Sequence, residues 1–402
     1  MSRVVVVGGG PAGLAAAVEL RRCGVDEVVV LERESAAGGV PRHCAHTGFG
    51  LRDLHRVLGG PAYAARWTER AARAGVSIRT EASATGWAGP TALTATSPHG
   101  VETLDADAVL LATGCRERPR SARLVPGTRP AGIFTTGSAQ QLVHLQHARI
   151  GRRAVVVGAE HVSFSAVLTL RGVGCETIAM VTEHASHQTY APLAWLAAGR
   201  RRVPILGSAR VADIRGAARV DAVALEDGRV LACDTVVFTG DWIPDHELAR
   251  RGGLAMDGGT RGPRVDPCGR TSKRGVFAAG NLVHAAETAD VAALGGRRVA
   301  GAIVDFLRTG DWPEEATVVE CEAPLRWVCP NVLTPGSPYR GPFLLRIDTL
   351  LRRARLSVTQ NGRTIWRGSS RRLVPNRSIR MPGDWVGRVE RGAAPLRVGV
   401  DR

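Results

Sequence analysis

Apolar positions along this chain fall into two alternating patterns, short unbroken runs and runs with helical spacing. Arg3 to Val7 is an unbroken run that ends in glycines; Leu14, Val18 and Leu20 recur along a helical stretch, and Val28 to Leu31 is a second unbroken run. Short unbroken runs suit strands buried on both faces, and the spaced run suits a helix that covers them. The segment therefore predicts one βαβ unit. After an irregular stretch over 38–60, Ala62 to Ala74 predicts a helix and Val76 to Arg79 a strand. Strand-like segments recur near 91–96, 101–104 and 108–112. Short strands in series predict an antiparallel meander returning to a buried parallel strand, Ala108 to Ala112.

The same order then repeats. Ala154 to Val157 is an unbroken run ending at Gly158, Val162 to Leu170 predicts a helix, and Ile178 to Val181 leads to Glu183. Weakly alternating segments at 209–214, 220–226 and 229–231 predict a second meander, closed by Thr235 to Thr239. What repeats is order rather than residue identity, and it predicts two dinucleotide-type domains, one inserted in the other. From 271 the chain returns to the first, with a strand over Gly275 to Ala279 and an amphipathic helix over Asp290 to Leu307. Beyond 314 the pattern alternates, in Leu344 to Ile347, Ala354 to Thr359 and Thr364 to Trp366, with Asn361-Gly362 as a hairpin turn. The expected fold class is α/β: two nested Rossmann-like domains, each a parallel sheet plus a β-meander, and a small, mostly-β C-terminal domain. The expected boundaries are 1–120 with 260–312, then 121–259, then 313–402.

At 402 residues and 44% hydrophobic, the chain can bury several cores. No stretch approaches the ~18–20 apolar residues of a membrane helix, and the first strand begins too early for a signal peptide. A cytoplasmic protein is expected. The net charge of +16 invites a nucleic-acid partner, but basic groups such as Arg152-Arg153, Arg200 to Arg202 and Arg297-Arg298 are scattered and lack interleaved aromatics. Lys273 stands alone among arginines, the mark of a coding bias. Nucleic acid is not an expected partner. The eight cysteines include no C-x-x-C pair and no metal-type spacing, so no metal is expected.

Gly8-Gly9-Gly10-Pro11-Ala12-Gly13 fits G-x-G-x-x-G between strand and helix. Gly8 permits the tight turn, Gly10 lets backbone approach a pyrophosphate, and Gly13 lets helix and strand pack closely. The helix N-terminus supplies free N–H groups for the phosphates. Glu32, ending the second strand, is placed to accept from ribose hydroxyls.

Glu32-Arg33-Glu34 followed by Gly38-Gly39 resembles the flavoprotein oxidoreductases of the glutathione-reductase type. Ala112-Thr113-Gly114 is similar to that family's A-T-G turn, where the chain crosses between domains. Thr271 with Gly275 to Asn281 is similar to its second FAD motif, in which an acid bonds the ribityl chain; here Asn281 stands in the acid's place after Gly280. The resemblance covers roughly 3–308 and implies FAD, held by Gly8, Gly10, Pro11, Ala12, Gly13, Glu32, Arg33, Gly39, Thr113, Gly114, Gly280 and Asn281. A narrower likeness lies in Gly38 to Gly48 and in Gly114 to Arg120. Both stretches are similar to the FAD-binding alpha-type subunits of bacterial multi-subunit dehydrogenases, among them opine, hydroxyproline and sarcosine oxidising complexes. That likeness implies a second flavin subunit or a small iron–sulfur protein as partner.

The second fingerprint departs from the pattern. It reads Gly158-Ala159-Glu160-His161-Val162-Ser163, with Glu160 and Ser163 in place of the second and third glycines. A glutamate where a pyrophosphate must approach opposes it by charge and bulk, so NAD is a doubtful cofactor. If NAD bound, Glu183 would favour it over NADP. Near the flavin, the disulfide reductases of the family carry C-x-x-x-x-C after the Gly-Gly turn; this chain has Cys44 alone, which excludes dithiol exchange there. Two readings of Cys44 stay open, a packed thiol and a thiolate cycling through sulfenic acid. His43 and His46 are candidate bases and Arg42 a candidate partner for a carboxylate or phosphate. Arg116-Glu117-Arg118 reads as flavin-proximal or as salt bridges at the domain junction, and Glu287 and Asp290 read as helix caps.

The expected function is an FAD-dependent oxidoreductase that takes a hydride from a small amine or alcohol and passes electrons to a partner. One alternative is an NADH-dependent acceptor or peroxide reductase using Cys44. The other is a flavin electron-transfer subunit without its own substrate site.

Overall fold

The computed structural model describes residues 1–191, 194–195, 203–313, 316–334, 339, 341–390 and 394–401. The valine-rich runs form the centres of two parallel sheets, where both strand faces are covered. Arg3–Val7 lies between Glu27–Leu31 and Ala108–Leu111, with Ser77–Arg79 and Val276–Ala278 at the edges. Val4 and Val6 pack on one side with Leu14, Trp67 and Ile303, while Val5 and Val7 pack on the other with Leu93, Leu104 and Leu248. One face thus carries helices Pro11–Arg22, Gly60–Arg73 and Ala289–Thr309, and the opposite face the meander Ser83–Trp87, Leu93–Ser97 and Gly100–Leu104. The registers Val7↔Leu31 and Val7↔Leu111 bring three strand ends level, so their following turns open on one edge.

The second sheet copies this order. Arg153–Val157 lies between Glu176–Val181 and Thr235–Phe238, with Ile205–Leu206 and Ile133–Thr135 outside. Helix His161–Gly172 covers one face and the meander Val211–Gly216, Val220–Leu225 and Val230–Ala232 the other. Cys115–Glu117 pairs antiparallel with Trp242–Pro244 where the chain passes out of the first unit and back. The nested α/β architecture is the one expected.

Beyond the long helix, two β-sheets pack around Phe343, Leu356, Trp385 and Val398. Asn361 and Gly362 both take positive φ between Leu351–Gln360 and Arg363–Arg367, the turn their sequence predicts. This β unit docks through Trp327, Cys329 and Leu344, which join the core on the meander side of the first sheet. The basic run Arg200 to Arg202 lies outside the described residues. Among the described residues no helix is long and apolar enough to cross a membrane.

Candidate functional site

The glycine turn after Val7 is built around an open space. A side chain at Gly8 (φ +108°) would strike the Ala112 carbonyl, and one at Gly13 would strike the Gly8 carbonyl. Gly10 caps helix Pro11–Arg22 without any side-chain bond, and its own missing Cβ would meet nothing nearer than Gly39 Cα at 3.9 Å. The first-turn N–H groups therefore face a cavity of about 1680 Å³. Glu32 Oε2 accepts from Gly9 N (3.0 Å) and Oε1 from Glu34 N (2.9 Å). Burial pushes this carboxyl up, and the two N–H groups oppose the shift. Gly39 (φ +62°) closes against Gly10, and Gly280 (φ +71°) lets its loop meet Ala12. Thr113 Oγ1 donates to the Asp245 carbonyl (2.6 Å) and Arg33 pairs with the Asp245 carboxylate (2.9 Å), tying the cradle to the returning strand. A phosphate-accepting helix end, a ribose-facing carboxylate and glycines that backbone fills fit FAD.

Asn281 lines the cavity and also braces its own loop. Its Nδ2 donates to the Glu287 carbonyl (3.1 Å) and its Oδ1 accepts from Glu287 N (2.9 Å). The amide clamps the loop that leads into helix Ala289–Thr309. Glu287 is no helix cap: it pairs with Arg346 of the C-terminal β unit at 2.7 Å, both side chains buried. Burial would raise this carboxyl, but Arg346, His284 and Ser378 together hold it below the usual carboxylate range. Asp290 does cap, accepting from Val291 N (3.0 Å).

The segment after Gly39 brings three of the four candidate catalytic residues to the cavity wall. His43 is 3% exposed with Nδ1 unpartnered, and burial lowers its pKa against the opposing charge of Glu34. Cys44 is buried and donates to Gln140 Oε1 (3.4 Å). Burial, aided by Glu117, pushes its thiol up to about 12, so it stays protonated at neutral pH. His46 lies 2.9 Å from the Thr47 carbonyl through Nδ1 and 2.7 Å from Ser165 Oγ through Nε2. A carbonyl only accepts, so Nδ1 carries a proton, and Nε2 bonds the Ser165 hydroxyl. Gln140 in turn donates to Ser165 Oγ (2.9 Å), linking the flavin loop to helix His161–Gly172. Arg42 is apart from these: it pairs with Glu34 (2.7 Å) and does not line the cavity.

The second glycine turn holds its own anion. Glu160 caps helix His161–Gly172, its N–H donating to Ser163 Oγ (3.1 Å). Its carboxylate lies beside Gly158 and Gly240, whose missing Cβ atoms would come within 2.7 and 3.1 Å of it. Oε1 is buried without a hydrogen-bond partner. Glu183 is turned to Arg210 (2.9 Å), away from the cavity. Arg116 and Arg118 pair with Glu247 (3.0 Å) and Asp241 (2.9 Å) at the junction, whereas Glu117 accepts from Gly137 N at the cavity wall.

Sequence reasoning missed Gln140, Ser165, Arg346 and Arg377. Arg377 donates to the Gln188 carbonyl (2.7 Å) and to that of Thr189, and lies over Tyr190 at 4.7 Å. Gln140 had a findable signal, the Thr135-x-x-Ser138 box that starts its helix. The arginines had none, because nothing local marks which arginine of a basic chain is buried.

Residues 2–296 match the model of the pyridine nucleotide-disulphide oxidoreductase family. The ferredoxin–NAD(+) reductase component of a biphenyl dioxygenase system from Paraburkholderia xenovorans (strain LB400) is 32% identical over 188 residues, 44% of this chain and 43% of that one. An opine oxidase subunit from Agrobacterium tumefaciens (strain Ach5) is 25% identical over 311 residues, 69% of this chain and 60% of that one. The chain thus spans less than two thirds of either relative. Thioredoxin reductase from T. acidophilum shares the fold, with a TM-score of 0.64 at 21% identity over 77% of this chain and 100% of that one. With the family match covering both parallel sheets, the chain belongs to the pyridine nucleotide-disulphide oxidoreductase family and is an FAD-dependent oxidoreductase.

Proposed function

We propose that the chain is the FAD-bearing component of a dehydrogenase that oxidises a small amine or alcohol and passes the electrons to a partner protein. When bound, FAD supplies the two-electron redox centre. Glu160 is the observation that carries this reading. Its buried carboxylate sits in the second glycine turn, at the fingerprint position whose glycine lets backbone approach a pyrophosphate. Unit charges 4 Å apart repel by ~1–4 kcal/mol in water-like to surface-like dielectric, so the usual NAD(H) pose is disfavoured and the electrons need another source. The protonated Cys44 supports the same view, since an unreactive thiol suits neither disulfide nor sulfenic-acid chemistry.

Gly8, Gly10, Pro11, Ala12, Glu32, Arg33, Gly39, Thr113, Gly114 and Asn281 line the cavity and would hold FAD in this reading, with Gly13 and Gly280 packing the backbone behind them. His43 lines the cavity with Nδ1 buried and unpartnered, and His46 has its Nδ1 proton fixed by the Thr47 carbonyl. We assign Arg42 to bracing the Gly38-Gly39 turn, because a Cβ on Gly38 would lie 3.0 Å from its stem. The opine oxidase relative is named as a subunit, which supports a chain that works in an assembly, and we infer a second flavin or iron–sulfur protein as its acceptor.

A second reading, an NADH-driven reductase, is favoured by the name of the ferredoxin–NAD(+) reductase relative. Anaerobic mixing of the purified holoprotein with NADH, NADPH and a panel of amines and alcohols separates the two. We expect no fast loss of flavin absorbance with either nucleotide, bleaching by one member of the panel, and unchanged bleaching in Cys44→Ser. Fast bleaching by NADH would overturn our reading in favour of the second.

A further inference from the structure

We propose that the second-domain part of the cavity is a subsite for the ammonium group of a small amine, held between Glu117 and Glu160. This rests on the reading that the electron donor is a small organic molecule, and it selects the amine over the alcohol. Glu117 ends the strand Cys115–Glu117 and Glu160 caps helix His161–Gly172; they are 8% and 7% exposed, and both line the cavity. Burial pushes the Glu117 carboxyl up, and the nearby charge of Glu160 adds to the shift.

Their bonding leaves them short of positive charge. Glu117 accepts from Gly137 N at 3.2 and 3.4 Å, both long contacts. Glu160 Oε1 is buried with no partner. Arg123 is the cation in range, but it donates to the Arg118 carbonyl (2.8 Å) and the Gly240 carbonyl (2.7 Å) and lies over the Phe238 ring at 5.3 Å. No ion pair joins it to either glutamate among the described residues. Beside Glu117, the Thr136 hydroxyl, 1% exposed and facing the same cavity, is in no well-formed hydrogen bond.

A buried carboxylate without a partner is costly, and the ligand that relieves it is a cation with several donors. An ammonium brings three N–H groups and a full charge, enough to serve both glutamates at once. A hydroxyl brings one donor and no charge, and an anion is repelled. Glycines 158 and 240 leave the room that the Glu160 carboxylate occupies, since a Cβ on either would come within 3.1 Å of it. The same group that turns away a pyrophosphate thus prepares the site for an amine.

Calorimetric titration of the oxidised holoprotein tests this with n-butylamine, 1,4-diaminobutane and glycinamide, each against n-butanol, 1,4-butanediol and glycolamide. At least one amine should bind about tenfold or more tightly than its hydroxyl counterpart, as a charge-assisted bond implies. Glu160→Gln should weaken that amine roughly ten- to a hundredfold, leave its hydroxyl counterpart unaffected, and retain FAD. Glu117→Gln gives the same comparison if the first variant does not fold. Equal binding of amines and alcohols, uptake of no amine, or discrimination unchanged in both variants would overturn the subsite. Flavin bleaching is read separately: amines that bind without bleaching leave the subsite standing and remove the dehydrogenase reading. Bleaching by amines with discrimination intact in both variants does the reverse.

Discussion

A methyl group at Gly13 would be driven into the Gly8 carbonyl and within 3.1 Å of Val6, both parts of the packed strand-to-helix junction. Neither can yield without moving the turn that carries Gly10. Gly13→Ala should therefore cost about 1–3 kcal/mol and lower the FAD content of purified protein below half that of wild type. Full flavin occupancy with an unchanged melting midpoint would contradict the assignment. His284 makes a second prediction at this scale. Fully enclosed and stacked on Trp327 at 5.2 Å, it has a folded pKa pushed down to about 4 by burial, against ~6.5 in the unfolded chain. Between those values the unfolded chain takes up a proton that the folded one refuses, so stability falls as pH drops from about 6.5 towards 4. The loss amounts to ~3 kcal/mol at one group. His284→Phe keeps a ring against Trp327 and removes the proton, so its urea midpoint should fall less than that of wild type between pH 7 and pH 4. Parallel curves would remove His284 from the acid limb.

Gln140 shows what an element contributes beyond its own packing. Helix Thr136–His144 holds this amide so that it accepts from Cys44 and donates to Ser165 (2.9 Å) and Thr169 (3.4 Å). Gln140→Leu would strand two buried groups, the Cys44 thiol and the Thr169 hydroxyl, at about 1–3 kcal/mol for each group left unsatisfied, while Ser165 keeps His46. We expect a melting midpoint several degrees lower, measured by circular dichroism, with Gln140→Glu losing less because it still accepts from Cys44. This helix was not legible in the sequence, nor were strands Ile133–Thr135 and Ser83–Trp87. The helix carries Gly137 in its first turn and few apolar residues, and both strands are too short to establish a period. The two parallel sheets were legible because strands buried on both faces must be apolar throughout. The first glycine turn was legible because backbone contact forbids side chains there. Asn281 lines the cavity, but its clamp on the loop was not legible, because that bond depends on Glu287, six residues away in a non-repeating turn.

The C-terminal β unit ties the molecule together through two arginines. Arg377 holds the Gln188 and Thr189 carbonyls of the second nucleotide unit, and Arg346 holds Glu287 and the Ala286 carbonyl of the first. Both arginines line the cavity, so the β unit forms a third wall of the site and restrains the other two. The Arg346–Glu287 pair is the stronger lever because both side chains are buried and the guanidinium also lies over Trp327 at 5.1 Å. Removing one member of a buried pair leaves the other charge uncompensated, typically a loss of about 3–5 kcal/mol, whereas replacing both with apolar groups is often neutral. Arg346→Met should therefore release flavin at much lower urea than wild type, and Glu287→Met should do much the same. The double variant Arg346→Met with Glu287→Met should recover most of the loss, because no charge remains buried. Losses that simply add would mean that the two residues act independently and that the third wall is held by apolar packing of Trp327 and Leu344 alone.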